Sequence, residues 1–174
     1  MKFKAGTVYL DKDVATTFAY IAMSENFYGQ SLNACIDHYE IELLGETSGP
    51  FFKGKEVSIF LSGKYEETED LIINLLVTDI KENQHIYQKV TSIEGYECDE
   101  AEVAKELPLN DYFSDLYIIT KLQLTRGKTK VEFGINVNPS NFVMKMAFWF
   151  LIKISHFKNK KLLQVWAEHI NQNA

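Results

Sequence analysis

Residues Phe148–Ile170 read FWFLIKISHFKNKKLLQVWAEHI, an apolar run that passes into an amphipathic one. Its second half repeats large apolar residues at helical spacing on one face: Leu162, Leu163, Trp166 and Ile170. Projected back at 3.6 residues per turn, the same face takes in Met144, Phe148, Leu151, Ile152 and Ser155. The pattern predicts a long C-terminal helix, from about Pro139 with Asn138 as its cap to about Asn171, that lays this stripe on a sheet.

The first half of this predicted helix is apolar on its other side as well. That side carries Phe142, Met146, Trp149, Phe150 and Phe157. A helix that is apolar all round is normally covered on both sides. Loops at a pocket mouth, a second copy of the chain in a homodimer and a membrane surface are the alternatives for this cover. The most apolar stretch of the chain, Phe142–Phe157, is shorter than a bilayer span and contains Lys145, Lys153 and His156, so we expect no transmembrane segment.

Strand-like segments separated by turn signals precede the helix. The first is Phe3–Leu10, and six more follow after a helical segment: Ile36–Leu44, Lys55–Lys64, Leu71–Ile80, His85–Ile93, Tyr112–Thr125 and Thr129–Val137. The last two are joined by Arg126-Gly127-Lys128, which is typical of a tight antiparallel hairpin. Alternation of apolar and polar residues predicts one buried face and one wetter face.

One or two short helices are expected directly after the first strand. Asp11 is a suitable N-cap, and Val14, Phe18 and Ile21 then fall on one helical face. A second short helical turn fits before Gly29, which is expected to break this region. The predicted fold class is therefore α+β, with a curved seven-stranded antiparallel sheet against a long C-terminal helix, in a single domain over residues 1–174.

Charge and cysteine content exclude several classes of function. The chain has 174 residues and a formal net charge of −6, with no run of basic residues to follow a phosphate backbone, so we expect no nucleic-acid partner. The acidic stretch Glu94–Glu106 is expected to be a long solvated connection. Cys35 and Cys98 form neither a disulfide framework nor a metal spacing, and the N-terminus lacks the apolar run of a signal peptide, so a cytoplasmic location is expected.

Three stretches resemble parts of a known superfamily. YLDKDVATTFAYIA at 9–22 resembles its first strand and helix, KLQLTRGKTKVEFGINV at 121–137 its last hairpin, and Phe148–Ile170 its closing helix. By this order the chain resembles the START-like superfamily, also called the helix-grip or birch-pollen-allergen fold, which includes polyketide cyclases, lipid-transfer domains and activators of a heat-shock ATPase. The resemblance rests on the order of elements and covers nearly the whole chain. It implies a deep apolar cavity between the sheet and the long helix.

The resemblance also implies a ligand, which would be a lipid-like or aromatic small molecule. The residues expected to line its cavity are Ile59, Leu61, Tyr65, Ile73, Leu75, Gln88, Tyr117, Thr120, Phe133, Ile135, Met144, Phe148 and Ile152. Ligand pockets are mainly apolar with a few placed polar groups. Filling of an ordinary core is the alternative for each of these residues.

Catalytic and metal motifs are missing from the sequence. His38, His85, His156 and His169 have no metal-binding spacing, and there is no GxSxG, P-loop or GxGxxG. We therefore predict no cofactor, no metal and no catalytic residue, and a binding or transport role. The alternatives are a polyketide cyclase or dehydratase that uses Tyr or His at the pocket mouth, and a protein-binding adaptor that uses the aromatic side of the helix around Trp149.

Overall fold

The computed structural model describes residues 2–33, 39–65, 70–96, 105–106 and 109–174. Within these ranges, the side chains of 3–5, 96, 105–106, 109–110 and 147–161 fall outside the description. The elements in chain order are β1 (Lys2–Leu10), α1 (Val14–Ile21), a π-helix (Glu25–Leu32), β2 (Tyr39–Leu44), β3 (Glu56–Gly63), β4 (Asp70–Lys81), β5 (His85–Tyr96), β6 (Lys105–Glu106), α2 (Leu109–Tyr112), β7 (Phe113–Thr125), β8 (Lys128–Pro139) and α3 (Phe142–Asn173).

The strands form one antiparallel sheet in the order β1-β8-β7-β5-β4-β3-β2, and the two-residue β6 pairs with the end of β5. The predicted architecture of seven main strands, a long C-terminal helix and short helices after the first strand is confirmed. Neighbouring strands in sequence pair directly except where β1 joins β8 and β5 joins β7. The first and last strands therefore lie side by side, which places the start of the chain beneath α3.

Alternation along the strands separates an inner face from an outer face. In β3, Val57 and Ile59 are buried while Ser58 between them is partly exposed. The hairpin between β7 and β8 is the tight turn expected, with positive φ angles at both Arg126 and Gly127. Two residues with positive φ give a turn whose twist matches that of the flanking strands.

The N-cap of α1 lies two residues later than predicted, at Asp13. The Asp13 carboxylate, not that of Asp11, accepts a hydrogen bond from the Thr16 backbone N–H at 2.8 Å. Asp11 instead forms an ion pair with Lys128 at 2.6 Å, and its backbone N–H donates to the Asn171 side chain at 3.0 Å. The prediction was wrong because DKD offers two carboxylates and only tertiary contacts distinguish them.

The second predicted helical turn is a π-helix. The Asn33 N–H donates to the Tyr28 carbonyl five residues back, and the Ser31 hydroxyl donates to the Asn26 carbonyl at 2.6 Å. π-Helices are rare and are often found at functional sites. This one turns Phe27 and Tyr28 into the interior, where both are buried.

The long helix α3 begins at Phe142, and its cap is Asn141, whose side chain accepts from the Met144 N–H at 2.9 Å. The predicted start at Pro139 with Asn138 as cap is corrected, because β8 continues through both residues, paired with Asp115 and Phe113 of β7. Proline suits the end of a strand as well as the start of a helix, so the sequence pattern alone does not decide between the two positions for Pro139.

The C-terminal part of α3 packs tightly on β1 and β8. Trp166 and Ile170 are fully buried, which confirms the predicted packing stripe there. A Cβ on Gly6 of β1 would lie 1.9 Å from a Leu163 methyl carbon, so the missing side chain makes room for the helix. Gly6 follows an irregularity in the β1–β8 register, which is consistent with a bulge at this close approach.

The connection after β5 is more structured than expected, because it contains β6 and α2. Cys35, Cys98, His38 and most of the acidic stretch lie outside the described residues. The predicted strand Ile36–Leu44 is described from Tyr39 onward.

Candidate functional site

The inner face of the sheet, which α3 and the π-helix cover, has a closed part and an accessible part. Buried residues fill the closed part beside Trp166 and Ile170, including Leu10, Ile86, Leu122 and Val131. Elsewhere on the same face eight apolar side chains stay partly exposed, and we call them the inner band: Leu61, Leu71, Ile73, Ile93, Leu116, Ile118, Phe133 and Ile135. Solvent-sized space therefore reaches large apolar side chains on the face that the helices cover.

Strand register joins most of the inner band into two groups. Leu61 pairs with Leu71 and Ile73 pairs with Ile93 across β3, β4 and β5, and Ile118 pairs with Ile135 across β7 and β8. Paired residues lie about 5 Å apart on one face of a sheet. The buried Gln88 of β5, which pairs with Ile118, lies between the two groups.

Most of the predicted lining residues lie on the inner face. Leu61, Ile73, Phe133 and Ile135 belong to the inner band, whereas four others are buried: Ile59, Leu75, Gln88 and Thr120. Met144 at the start of α3 is partly exposed. Phe148 and Ile152 fall within the part of α3 whose side chains are not described.

Tyr117 and Tyr65 are placed elsewhere. Tyr117 pairs with Asn136 and Lys89 on the outer face, and the Lys89 ammonium lies 6.0 Å from the centre of its ring. Its neighbour Ile118 has the inward position, because successive strand residues point to opposite faces. Tyr65 follows the end of β3 and is 57% exposed.

A buried polar pair adjoins the inner band. The Tyr28 hydroxyl donates to Gln88 Oε1 at 2.8 Å, and both side chains are almost fully buried. Burial raises the pKa of Tyr28 far above its ordinary range, although the bond to Gln88 opposes the shift, so the phenol remains a neutral donor. Gln88 lies beside Ile118 in the sheet, and among the described residues its Nε2 has no hydrogen-bond partner.

Trp166 is a second buried donor, and its indole Nε1 contacts no acceptor within the part of the chain that the structure describes. Its ring packs edge-on against Phe133, with 4.8 Å between ring centres. Buried donors usually find an acceptor, and leaving one unpaired costs about 1–3 kcal/mol.

Solved structures share this arrangement. A protein from Arthrobacter aurescens, studied in solution by NMR, aligns with a TM-score of 0.63 and 13% identity over 99% of this chain and 87% of that chain. Ara h 8.0201 gives 0.56 and 13% over 99% of each chain. Ginseng major latex-like protein 151 from Panax ginseng gives 0.54 and 13% over 92% and 95%. No family model and no curated protein matches the sequence.

The chain has the START-like helix-grip fold. At 13% identity the likeness concerns the fold, and the site must be argued from its own residues. In this fold the inner band is the part of the inner face of the sheet that the second half of α3 leaves uncovered.

The outer face of the helix-grip sheet has a groove of about 230 Å³ over Gly134. Lys2, Ile119, Lys121 and Glu132 line it together with Phe133 and Ile135, the neighbours of Gly134 along β8. The groove exists because Gly134 contributes no side chain between its neighbours on adjacent strands, Lys4 and Ile119. It lies on the opposite face from the inner band.

The start of α3 displays apolar side chains to solvent. Phe142 is 74% exposed, and Val143 and Met146 are also exposed. Of the five apolar residues predicted on this side of the helix, Phe142 and Met146 are therefore accessible, and the side chains of Trp149, Phe150 and Phe157 are outside the description. No helix in the described part of the chain is long and apolar enough to cross a bilayer.

Chemistry-bearing groups are sparse in the described residues, where no cluster of three or more His, Cys, Asp or Glu could hold a metal ion. His85 contacts Asp79 at 2.7 Å on the outer face, and His169 lies 3.4 Å from the Tyr20 hydroxyl. Sequence reasoning did not find Tyr28 or Trp166 as site residues. The unusual π-helix that orients Tyr28 has no sequence signal, and Trp166 was assigned only to the packing stripe.

Proposed function

We propose that this protein binds or carries a hydrophobic small molecule, lipid-like or aromatic, between the inner face and α3. The observation that supports the proposal is the inner band, in which eight large apolar side chains remain accessible on the inner face of the sheet. Apolar side chains left accessible in an interior gain about 25 cal/mol for each Å² that a ligand removes from water. The proposal takes residues 1–174 as a single START-like domain in the cytoplasm.

The charge of the described inner face favours a neutral ligand. Among the inward-pointing residues of β1 to β5, β7 and β8 whose side chains are described, there is no Asp, Glu, Lys, Arg or His, and the polar groups nearest the inner band are Gln88, Thr120 and Tyr28. Lys105 of β6 pairs with the inward Gly95, and its side chain is outside the description. An unpaired charge in such surroundings would lose most of its solvation. A neutral apolar molecule incurs no such cost, and a ligand with a hydrogen-bond acceptor would suit the free donor of Gln88.

Native mass spectrometry of the gently purified protein tests this proposal first. A stoichiometric hydrophobic adduct, released and identified by extraction, would support the carrier role and define the ligand class. Protein that is empty, and stays empty after incubation with a mixed library of lipids and aromatic compounds, would contradict it.

A matched pair of variants tests the location of the site. Ile73 and Ile72 are adjacent on β4 and are both partly exposed, but Ile73 belongs to the inner band and Ile72 points outward. With pyrene as a neutral apolar probe, Ile73→Trp is expected to weaken binding at least tenfold, because the indole occupies the ligand's space. Ile72→Trp should bind pyrene as the unmodified protein does. Equal effects of the two changes would contradict the placement.

A further inference from the structure

The outer groove over Gly134 lies on the face of the sheet opposite the inner band. β8 is an interior strand of this sheet, paired with β1 on one side and with β7 on the other. Glycine weakens the interior of a strand, because it has no side chain to pack, and it often marks a place where a ligand approaches the backbone. At Gly134 the groove has about 230 Å³ of space. The partner of Gly134 on β1 is Lys4, whose side chain is outside the description.

The floor of the outer groove is apolar. Ile119 of β7 is the cross-strand partner of Gly134, and it is partly exposed on the outer face. Tyr87 of β5 pairs with Ile119 in turn, so an aromatic side chain continues this row of the sheet. Bare backbone beside an apolar side chain allows a planar ring to make close contacts over one whole face.

Lysines stand at opposite ends of the outer groove. Lys2 pairs with Asn136, two residues after Gly134 on β8. Lys121 pairs with Glu132, two residues before Gly134. Both lysines line the groove and are exposed. Neither of them forms an ion pair with another residue in the part of the chain that the structure describes.

The charges at the two ends of the groove differ. Glu132 is the one acidic side chain among the described residues that line it, and Lys130 contacts the Glu132 carboxylate at 2.7 Å. The Lys121 end therefore holds two lysines and a glutamate, whereas the Lys2 end holds a lysine beside the neutral Asn136. An anion is favoured most at Lys2, because no carboxylate of the described lining repels it there.

The size and exposure of the groove limit the ligand to a small molecule. Pockets for drug-sized ligands measure about 300–1,000 Å³, and the outer groove is smaller. Gly134 and Ile119 are both partly exposed, so water reaches the groove. A carboxylate bound there keeps part of its hydration, and it avoids the cost of burial that an anion would meet at the inner face.

We propose that the outer groove is a second binding site, which takes a small aromatic carboxylate with its ring on Gly134 and Ile119 and its carboxylate at the Lys2 ammonium. The site differs from the inner band in its position and in the charge of its ligand. It therefore stands independently of the proposed carrier function.

Isoleucine methyl NMR with 2-naphthoate tests the site, because Ile119 and Ile118 are adjacent on β7 and point to opposite faces. 2-Naphthoate should shift the Ile119 signal to saturation and leave the Ile118 signal unmoved. The neutral 2-naphthamide should bind about two- to fivefold more weakly, since it lacks the charge that the lysine attracts. Equal affinities for the two compounds, or an unmoved Ile119 signal, would overturn the proposal.

Charge variants test the position of the carboxylate. Lys2→Met should raise the dissociation constant for 2-naphthoate about two- to fivefold, the range for an exposed ion pair. Lys53→Met is the matched control, because it removes the same charge from an exposed turn, and it should leave the constant unchanged. Glu132→Gln should lower the constant, since it removes a negative charge from the groove. Equal effects of Lys2→Met and Lys53→Met would refute the placement.

Gly134→Val tests the groove itself. Valine is favoured in strands, and its side chain would occupy the space over the backbone, so 2-naphthoate should bind at least tenfold more weakly. Undiminished binding to a Gly134→Val protein that unfolds cooperatively in urea would overturn the proposal. If that protein does not unfold cooperatively, the charge variants decide the outcome alone.

Discussion

The Trp166 indole stands edge-on against the Phe133 ring, with 4.8 Å between the ring centres and 89° between the ring planes. Trp166 is fully buried, whereas Phe133 is partly exposed. This contact therefore marks the boundary on the inner face between the part that α3 closes and the inner band. Phe133 is the cross-strand partner of Gly6 on β1, where Leu163 approaches the backbone.

Removing the Trp166 indole should destabilise the packing of α3 on the sheet. Trp166→Ala is expected to lower the free energy of unfolding by about 3–5 kcal/mol, because it deletes a large buried ring and leaves a cavity. Trp166→Phe should cost clearly less, since the ring contact with Phe133 persists and the unpaired indole N–H is removed. Urea denaturation measures both. Equal losses for the two variants would contradict a packing role for the indole.

Gly6 and Leu163 should be energetically coupled. A Cβ on Gly6 would overlap the Leu163 methyl group, so Gly6→Ala is expected to destabilise the protein by about 1–3 kcal/mol. In the Leu163→Ala background the same change should cost much less, because the overlapping methyl is gone. A double-mutant cycle by urea denaturation measures the coupling, and strictly additive effects would show that the two residues do not meet.

The buried Tyr28–Gln88 pair should show the same kind of coupling through a hydrogen bond. Tyr28→Phe leaves both ends of the Gln88 amide unpaired and should cost about 1–3 kcal/mol. Adding Gln88→Leu to that variant should recover part of the loss, because it removes the remaining buried polar group. Chemical denaturation of the two single variants and the double variant measures this. Further destabilisation in the double variant would contradict the account.

Glu25 should make stability depend on pH in the acid range. Its carboxylate accepts from the Gly49 N–H at 2.7 Å and from the Ser24 hydroxyl at 3.2 Å, and chiefly the first bond holds the pKa of Glu25 below its ordinary range. Because the folded pKa is lowered, the contribution is present above the ordinary glutamate pKa of about 4.3 and is lost as the pH falls through the lower folded value.

Glu25→Gln is accordingly expected to lower the free energy of unfolding by about 1 kcal/mol at pH 7. The difference from the unmodified protein should shrink steadily below pH 4.3 or so. Urea denaturation across this pH range measures it, with Glu46→Gln at an exposed turn as the control. A difference that stays constant down to strongly acid pH would contradict the assignment.

Much of the fold could be predicted because periodicity and turn chemistry are local. Spacing alone predicts three features that the structure bears out: the stripe containing Trp166 and Ile170, the hairpin at Arg126-Gly127, and the inward positions around Ile59 and Ile73. The cap of α1 and the start of α3 could not be fixed in this way. At both places two suitable residues compete, and contacts distant in sequence decide between them.

The candidate site was less predictable for the same physical reason. Tyr117 was placed inward and lies on the outer face, since a shift of one residue reverses every side chain of a strand. The role of Tyr28 depends on a π-helix, which no periodic pattern indicates. The inward direction of apolar residues could thus be predicted for most of a strand at once, whereas the placement of a single polar residue could not.

Isoleucine methyl NMR during a pyrene titration tests the central claim most directly. The account predicts stoichiometric shifts for the isoleucines of the inner band, Ile73, Ile93, Ile118 and Ile135, with the outward-facing Ile72 and Ile119 unmoved. Shifts confined to Ile119, beside the outer groove, or no shifts at saturating pyrene, would show that the inner face is not the binding surface.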